Sequence, residues 1–417
     1  MNYTDRIMRE IASYGVLDVM LADIAVRIQL TATDYQKAVD HYDAINEWID
    51  RPDSPLHGLV ELLYPQGSFA IGATIARHST DDEFDLDAMA QLTLPPDIDP
   101  ERPLALLMDA IRAEKGSRYH GMAERRTRCV TVHYADMHLD ATPTVRLWSR
   151  EERTGFIFHS KPEDPAEPKL SLHANPYGFG EWFNEMTPAD EAFGRFFEQR
   201  SLDYARARAL AKADADEVPD QLPAYRKSRA VIALQLIKRW RNLGYDRRHP
   251  RLRRPPSILL AKYVALHANR TRSLADELIH QVESMIAILE EADRAGSPVF
   301  ERNPRCHEDI LTDRWPGGLA DQRVFLAELG DFAAKLRRLQ TGVPLPEMQR
   351  ILRELFGERP AQAAIERYVE QHQSDRDTGR AVHVPGIGAI PAVGAGTALP
   401  AVARPTPRNT FFGDDGE

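Results

Sequence analysis

The sequence predicts an α+β protein in which a mixed sheet is followed by an all-helical lobe. Three observations lead there. Between Leu59 and Pro143, short β-like runs are broken by turns. From about Pro188 onward, apolar residues recur at helical spacing instead. The 417 residues are 43% hydrophobic and 28% charged. That balance belongs to a globular chain, and at roughly 100–200 residues per domain it supplies two to four compact units.

The opening segment, to about Asp50, reads as helix. Thr33-Asp34-Tyr35-Gln36 has the form of a capping box, and Tyr35, Val39, Tyr42, Ile45 and Trp48 follow on one face. The sheet region begins with Leu62-Leu63-Tyr64 and continues with Phe84-Asp85-Leu86-Asp87, Val130 to Tyr134, and Met137-His138-Leu139-Asp140. Between the second and third of these, Leu104, Leu107, Met108 and Ile111 share a helix face. Helices are then predicted over Arg229 to Leu243, Ile258 to Ala268, Leu274 to Ala292, Arg323 to Leu339 and Leu345 to Phe356. After about Asp375 the composition turns to Gly, Pro, Ala and Val without a period, which predicts a flexible tail. The expected division is an N-terminal helical segment bridging the lobes (1–50), a sheet-bearing core (51–215), a helical lobe (216–374) and the tail (375–417).

Composition excludes several classes. With 53 Lys and Arg against 63 Asp and Glu, the formal charge is −10. A broadly basic surface for long nucleic acid is therefore not expected. Two cysteines, Cys129 and Cys306, are too few for a disulfide framework or a multi-cysteine zinc site, and they suit a reducing cytosol. No apolar run approaches the ~20 residues that span a bilayer, and no basic n-region with an apolar stretch opens the chain. The expected compartment is the cytoplasm.

The chemistry is concentrated in Tyr64-Pro65-Gln66-Gly67-Ser68-Phe69, Asp85-Leu86-Asp87 and Leu139-Asp140-Ala141-Thr142-Pro143. Strand alternation places Asp85 and Asp87 on one face, with Phe84 and Leu86 on the other. Like charges side by side cost free energy unless a cation sits between them, and hard carboxylate ligands suit Mg²⁺. Asp140 supplies a third carboxylate if its strand neighbours the first, and three acids can hold two ions. Gly67-Ser68, leaving a strand and opening a short helix, offers close backbone approach, free N–H groups and a hydroxyl, which together make a phosphate cradle. Phosphate and two metals meeting in this order imply nucleotidyl transfer.

Gly67-Ser68, Asp85-x-Asp87 and Asp140 resemble the signature of the polymerase-β-like nucleotidyltransferase superfamily. Within it the chain resembles the bacterial cGAS/DncV-like nucleotidyltransferases (CD-NTases), relatives of oligoadenylate synthetase. Further matches are Ala70-Ile71-Gly72, the helix Val231 to Trp240, Pro256-Ser257-Ile258-Leu259-Leu260, and Asn303-Pro304 with Glu308-Asp309. The resemblance implies a polymerase-β-like core closed by a helical lobe, with the active site in the cleft between them. It implies Asp85, Asp87 and Asp140 as catalytic metal ligands for two Mg²⁺, with Mn²⁺ as a substitute. It also implies Gly67, Ser68, Lys238 and Ser257 as nucleotide-binding residues, and ATP, GTP or other NTPs as substrates. The implied product is a cyclic di- or trinucleotide second messenger of anti-phage (CBASS) signalling. Two departures stand out: Ala73-Thr74, where relatives often carry two hydroxyls, and Ile258, where animal relatives place a stacking tyrosine, a role Tyr177 is the candidate to fill. The resemblance further implies a regulator of HORMA or ubiquitin-transfer-like type, for which Arg408 to Gly413 in the tail offers an aromatic docking motif.

Other signals have plainer readings. Lys238 beside an apolar helix face also fits a snorkelling lysine. Cys306-His307 reads as a loop rather than a zinc site. Arg247-Arg248-His249, Arg251 and Arg253-Arg254 either grip an acceptor nucleotide or RNA, or form a solvated loop. Asp140 is preferred to Asp136 as third acid, since Asp136 falls in a turn, and His138 fits a structural hydrogen bond. Two rival functions remain: transfer of a single nucleotide to RNA, protein or a small molecule, and a non-catalytic nucleotide-binding scaffold.

Overall fold

The computed structural model describes residues 15–76, 84–135, 137–148, 150–161, 163–164, 166–211, 227–377, 382–384, 388–390 and 404–405. The leading helical segment is two helices, α1 (Val16–Ile28) and α2 (Ala32–Ile49). Gln29 breaks the run with an extended backbone, φ −82° and ψ 162°. The helix α2 opens two residues earlier than a Thr33 cap implies. Thr31 caps it, its Oγ1 accepting from Asp34 N at 3.2 Å while Asp34 Oδ2 accepts from Thr31 N at 3.3 Å. Asp34 thus sits at the third helical position, where a short carboxylate reaches back to the cap, and Gln36 donates outward to Asp40.

The sheet has seven strands. β1 (Val60–Gln66) and β2 (Phe84–Leu92) pair antiparallel across the short helix α3 (Gly67–Ala70). The chain then crosses over through α4 (Glu101–Arg112), β3 (Ala123–Arg125) and β4 (Val130–His133) to β5 (Met137–Arg146), which lies parallel to β2. The order is β1-β2-β5-β4-β3, with β6 (Gly155–His159) and β7 (Leu170–Ala174) extending from the far end of β5. Phe84, Leu86, Leu139, Val130 and Val132 turn inward and pack with Leu107 and Ile111 of α4 and Ile45 and Ile49 of α2. One face of β2 and β5 is therefore core, and the opposite face is left for the acids.

The remaining helices are α5 (Pro176–Met186), α6 (Glu191–Ala211), α7 (Arg229–Arg248), α8 (Ser257–His267), α9 (Leu274–Arg294), α10 (Leu319–Gln340), α11 (Leu345–Phe356) and α12 (Glu358–Asp377). The centre of the helical lobe is α7, whose residues are buried almost all round from Arg229 to Arg241. The helix α1 packs in this second core through Met20, Leu21 and Ile24, as do Phe179, Phe183, Phe193 and Phe197 from α5 and α6. The leading segment thus places α1 against the helices and α2 against the sheet. Asp23 of α1 accepts two bonds from Arg200 of α6, at 2.6 and 2.7 Å, both side chains buried.

Cys306 and His307 lie in a strand, not a loop. β8 (Arg302–Asn303) and β9 (Cys306–Ile310) form a hairpin closed by Asn303, whose Oδ1 accepts from Arg305 N and whose Nδ2 donates to Asn175 O and Asp309 Oδ2. Beyond α12, which continues to Asp377, the short strands β10 (Val382–Val384), β11 (Gly388–Ile390) and β12 (Arg404–Pro405) pair into a small sheet. The motif at Arg408 to Gly413 lies outside the described residues, as does Asp136.

Candidate active site

The parallel register of β2 and β5 sets Asp87 beside Asp140 and Asp85 beside His138. Gln66 flanks Asp87 from β1 and Thr131 flanks Asp140 from β4, so one row of side chains crosses four strands. Thr131 Oγ1 donates to Asp140 Oδ1 at 2.5 Å, holding that carboxylate in place. His138 sits at the edge of the row, its ring edge-on to His133 with centroids 4.7 Å apart.

The chain leaves β1 through Gly67, whose φ of +59° is the left-handed region that glycine enters without steric cost. A second constraint is sharper. A Cβ at Gly67 would lie 2.6 Å from Asp87 Oδ2, so the turn and the acid approach each other more closely than any side chain at 67 permits. Ser68 follows, and Lys238 of α7 reaches across from the helical lobe to meet it. Lys238 Nζ donates to Ser68 Oγ at 2.7 Å and to Ala73 O at 2.8 Å. Its 5% exposure rules out the snorkelling account.

These residues line one cavity of about 670 Å³ between sheet and helices, which includes Gly67, Ser68, Asp85, Asp87, Asp140, Lys238 and Ser257. Its electrostatics are divided. Burial, then repulsion from Asp140 and Asp85, pushes the Asp87 carboxyl up to about 7, against the pull of Lys238. Burial also raises Asp140, against its bond from Thr131. Burial, with repulsion from Arg241, brings Lys238 down to about 7, while Asp87 and Asp85 oppose that shift.

Among the described residues, no group of three or more His, Cys, Asp and Glu side chains is close enough to hold an ion as it stands. What the aspartates share is mutual repulsion in a partly desolvated site, and their donors are all carboxylate oxygens. That donor set fits a hard divalent cation, which would relieve the repulsion.

No family model matches the chain. It is 36% identical to the cyclic dinucleotide synthase CdnG of Bradyrhizobium diazoefficiens over 396 residues, covering 93% of this chain and 92% of that one. The chain belongs to the CD-NTases. It is accordingly a nucleotidyltransferase, an enzyme that joins nucleotides into cyclic products. A c-di-GMP synthase of Roseivirga ehrenbergii is 25% identical over 407 residues, covering 95% of this chain and 97% of the relative. The structure of the Bradyrhizobium CD-NTase CdnG in complex with GTP superposes with a TM-score of 0.73, covering 85% of this chain and 99% of that one.

Within this CD-NTase, the seven residues singled out from sequence come together from five separate stretches of chain. Tyr177 does not join them. Its ring lies over Arg153, 4.0 Å from the guanidinium carbon, and edge-on to Tyr64, whereas its neighbours Pro176 and Phe179 line the cavity. Thr74 also lines it, and its hydroxyl has no hydrogen-bond partner among the described residues. In the basic cluster, Arg248 and His249 bond to Glu328 of α10, and Arg254 lines the cavity.

Sequence reasoning missed Thr131 and Arg241. Thr131 has a signal in hindsight, since alternation in Val130-Thr131-Val132 turns it to the face opposite the core. Arg241 follows Lys238 by three residues, one helical turn, and helical periodicity puts both on one side of α7.

No helix of the described residues is long and apolar enough to cross a membrane.

Proposed function

We propose that this CD-NTase condenses NTPs, GTP among them, into a cyclic dinucleotide with release of pyrophosphate, as a second messenger of anti-phage (CBASS) signalling in the cytoplasm. The observation that carries the reading is the convergence of Gly67, Ser68, Asp85, Asp87, Asp140, Lys238 and Ser257 on one cavity. The guanine preference is supported by the relatives, one solved with GTP and one named for c-di-GMP synthesis.

In this mechanism Asp85, Asp87 and Asp140 would hold two Mg²⁺. Bound there, the metal supplies charge neutralisation at the leaving pyrophosphate and a lowered pKa for the attacking hydroxyl. Asp140, whose Oδ1 accepts from Thr131, would also favour deprotonation of the acceptor 3′- or 2′-hydroxyl. Gly67 and Ser68 hold the donor phosphates through backbone N–H groups and the Ser68 hydroxyl. Lys238 fixes that hydroxyl and adds positive charge, and Ser257 contributes a second hydroxyl from the helical lobe. After the first bond forms, the free hydroxyl of the linear intermediate attacks its remaining α-phosphorus, the P–O bond to the second pyrophosphate breaks, and the ring closes.

The test is incubation of purified enzyme with Mg²⁺ and labelled ATP, GTP, CTP and UTP, singly and mixed, followed by phosphatase and mass spectrometry. A phosphatase-resistant product with the mass of a cyclic dinucleotide is expected. Label transferred to RNA, protein or a small molecule would replace the cyclase reading with single-nucleotide transfer, and no NTP consumption would leave a nucleotide-binding scaffold. A HORMA-type or ubiquitin-transfer-like regulator is assigned to Arg408 to Gly413 on its sequence, two adjacent aromatics in a Gly- and Pro-rich segment. Truncation after Asp377 is expected to keep NTP turnover and abolish capture of such a regulator. Loss of basal turnover would return the tail to the folded enzyme.

A further inference from the structure

Residues 71–76, which follow α3, form neither helix nor strand, yet Ile71, Thr74, Ile75 and Ala76 line the cavity. A segment without a backbone ladder needs other partners for its carbonyls. Two side chains of α7 supply them. Lys238 takes Ala73 O, and Gln235, one turn earlier and fully buried at 0% exposure, donates from Nε2 to Thr74 O at 2.9 Å and more weakly to Gly72 O at 3.5 Å. Behind Gln235 the bonds continue. Its Oε1 accepts from Gln29 Nε2 at 3.0 Å, and Gln29 Oε1 accepts from Lys227 Nζ at 2.7 Å.

This chain has a direction. A side-chain amide has one donor end and one acceptor end, and its neighbours decide which way it faces, whereas an ammonium only donates. Lys227 therefore takes the oxygen of Gln29, which leaves the nitrogen of Gln29 for the oxygen of Gln235, and the nitrogen of Gln235 for the carbonyl of Thr74. Gln29 is also the extended break between α1 and α2, the first packed in the helical lobe and the second against the sheet. The same break meets the cavity wall directly, since Ala76 N donates to Ile28 O at 2.8 Å. Thr74 and Ala76 are thus both tied to it. Thr74 brings to the cavity a hydroxyl without a hydrogen-bond partner among the described residues, and its backbone decides where that hydroxyl stands.

We propose that Gln29 and Gln235 are positioning residues for the donor nucleotide: as a directed amide relay running from Lys227 to Thr74 O, they fix residues 72–76 as the wall against which the nucleotide is held. This rests on the reading of the cavity as the donor-nucleotide site. Neither glutamine lines the cavity, so their influence on the nucleotide passes through the wall.

The experiment measures binding of α,β-methylene-GTP by calorimetry, steady-state kinetics with NTPs, and thermal melting, for the wild type, Gln29→Glu, Gln235→Leu and the double variant. In Gln29→Glu the carboxylate still accepts from Lys227 but has nothing to donate. Gln235 then turns its nitrogen to position 29 and its oxygen to Thr74 O, so the wall is released while Lys227 stays paired. A loss of about five- to tenfold in analogue affinity is expected, mirrored in KM, with kcat changed less than about twofold and the melting temperature kept within about 3 °C. Gln235→Leu should show a loss of similar size, and the double variant should match Gln235→Leu, because both substitutions break one chain. Unchanged binding in Gln29→Glu would overturn the relay, as would losses that add in the double variant or that appear only with a larger fall in melting temperature. Should Gln235→Leu not fold, Gln29→Glu decides alone. A wild type that bound the analogue but made no cyclic product would refute the cyclase reading, and the same affinity losses would still establish the relay. A wild type that bound no analogue would overturn both.

Discussion

Lys238 Nζ donates to Ser68 Oγ across 170 residues of sequence, at 2.7 Å. This bond joins the helical lobe to the turn proposed to hold the donor phosphates. It also explains why a lysine is tolerated where burial lowers its pKa to about 7: two of its donors are met by Ser68 and Ala73, and Asp87 lies close enough to favour its charge.

Lys238→Ala is therefore expected to raise the apparent KM for NTP by about tenfold or more, because a charge-assisted phosphate contact is lost and Ser68 is released. Turnover at saturating NTP is expected to survive in part. Steady-state kinetics checks this, and an unchanged KM would separate Lys238 from the substrate.

Asp87→Asn should abolish turnover while the fold persists, since the amide keeps the shape and loses the charge. Two readouts distinguish it from a structural acid. In EDTA its melting temperature should equal or exceed that of the wild type, because repulsion with Asp85 and Asp140 is relieved. Added Mg²⁺ should raise the melting temperature of the wild type more than that of the variant.

Gly67→Ala tests the close approach of turn and acid. A methyl group there meets Asp87 Oδ2 and adds left-handed backbone strain of about 1–2 kcal/mol. A fall in kcat of about 100-fold or more, with a folded protein of modestly reduced melting temperature, is the expected outcome. Near-wild-type kcat would show that Asp87 can shift without consequence.

Asp23→Ala acts at a distance from the cavity. It leaves Arg200 buried without its bidentate partner, and Arg367, 3.6 Å from the same carboxylate, loses it as well. A loss of about 3–5 kcal/mol is expected in urea denaturation, with KM for NTP unchanged in the fraction that stays folded. A loss under about 1 kcal/mol would mean that the Asp23–Arg200 pair adds little to the hold of α1 on the helical lobe beyond its apolar packing and the bonds of Asp18 and Arg27 to Ala275 and Ala363.

Local pattern in the sequence determined much of this protein. Period-2 alternation put Asp85 and Asp87 on one strand face. Gly67-Ser68 between a strand and a helix marked a phosphate-type turn, and the helices over Leu274 to Ala292 and Leu345 to Phe356 were legible because their apolar stripe is continuous. Capping was less secure, since Thr31 and Thr33 both precede an acceptor and only the backbone shows which one Asp34 answers. The hairpin around Cys306 was hidden, because two-to-five-residue strands carry too few alternations to show a period. Tertiary structure alone decided which acids meet. Sequence assigns Asp140 to a face, but only the parallel pairing of β2 with β5 sets it beside Asp87. It alone also separated Arg239 from Arg241, two buried arginines on one helix, by what faces them: a carbonyl of the packed helices for one, an open cavity for the other. Face and period are properties of neighbouring residues, so a sequence displays them. Register, and the partner of a buried charge, are fixed by elements far apart in the chain, and only their packing brings them together.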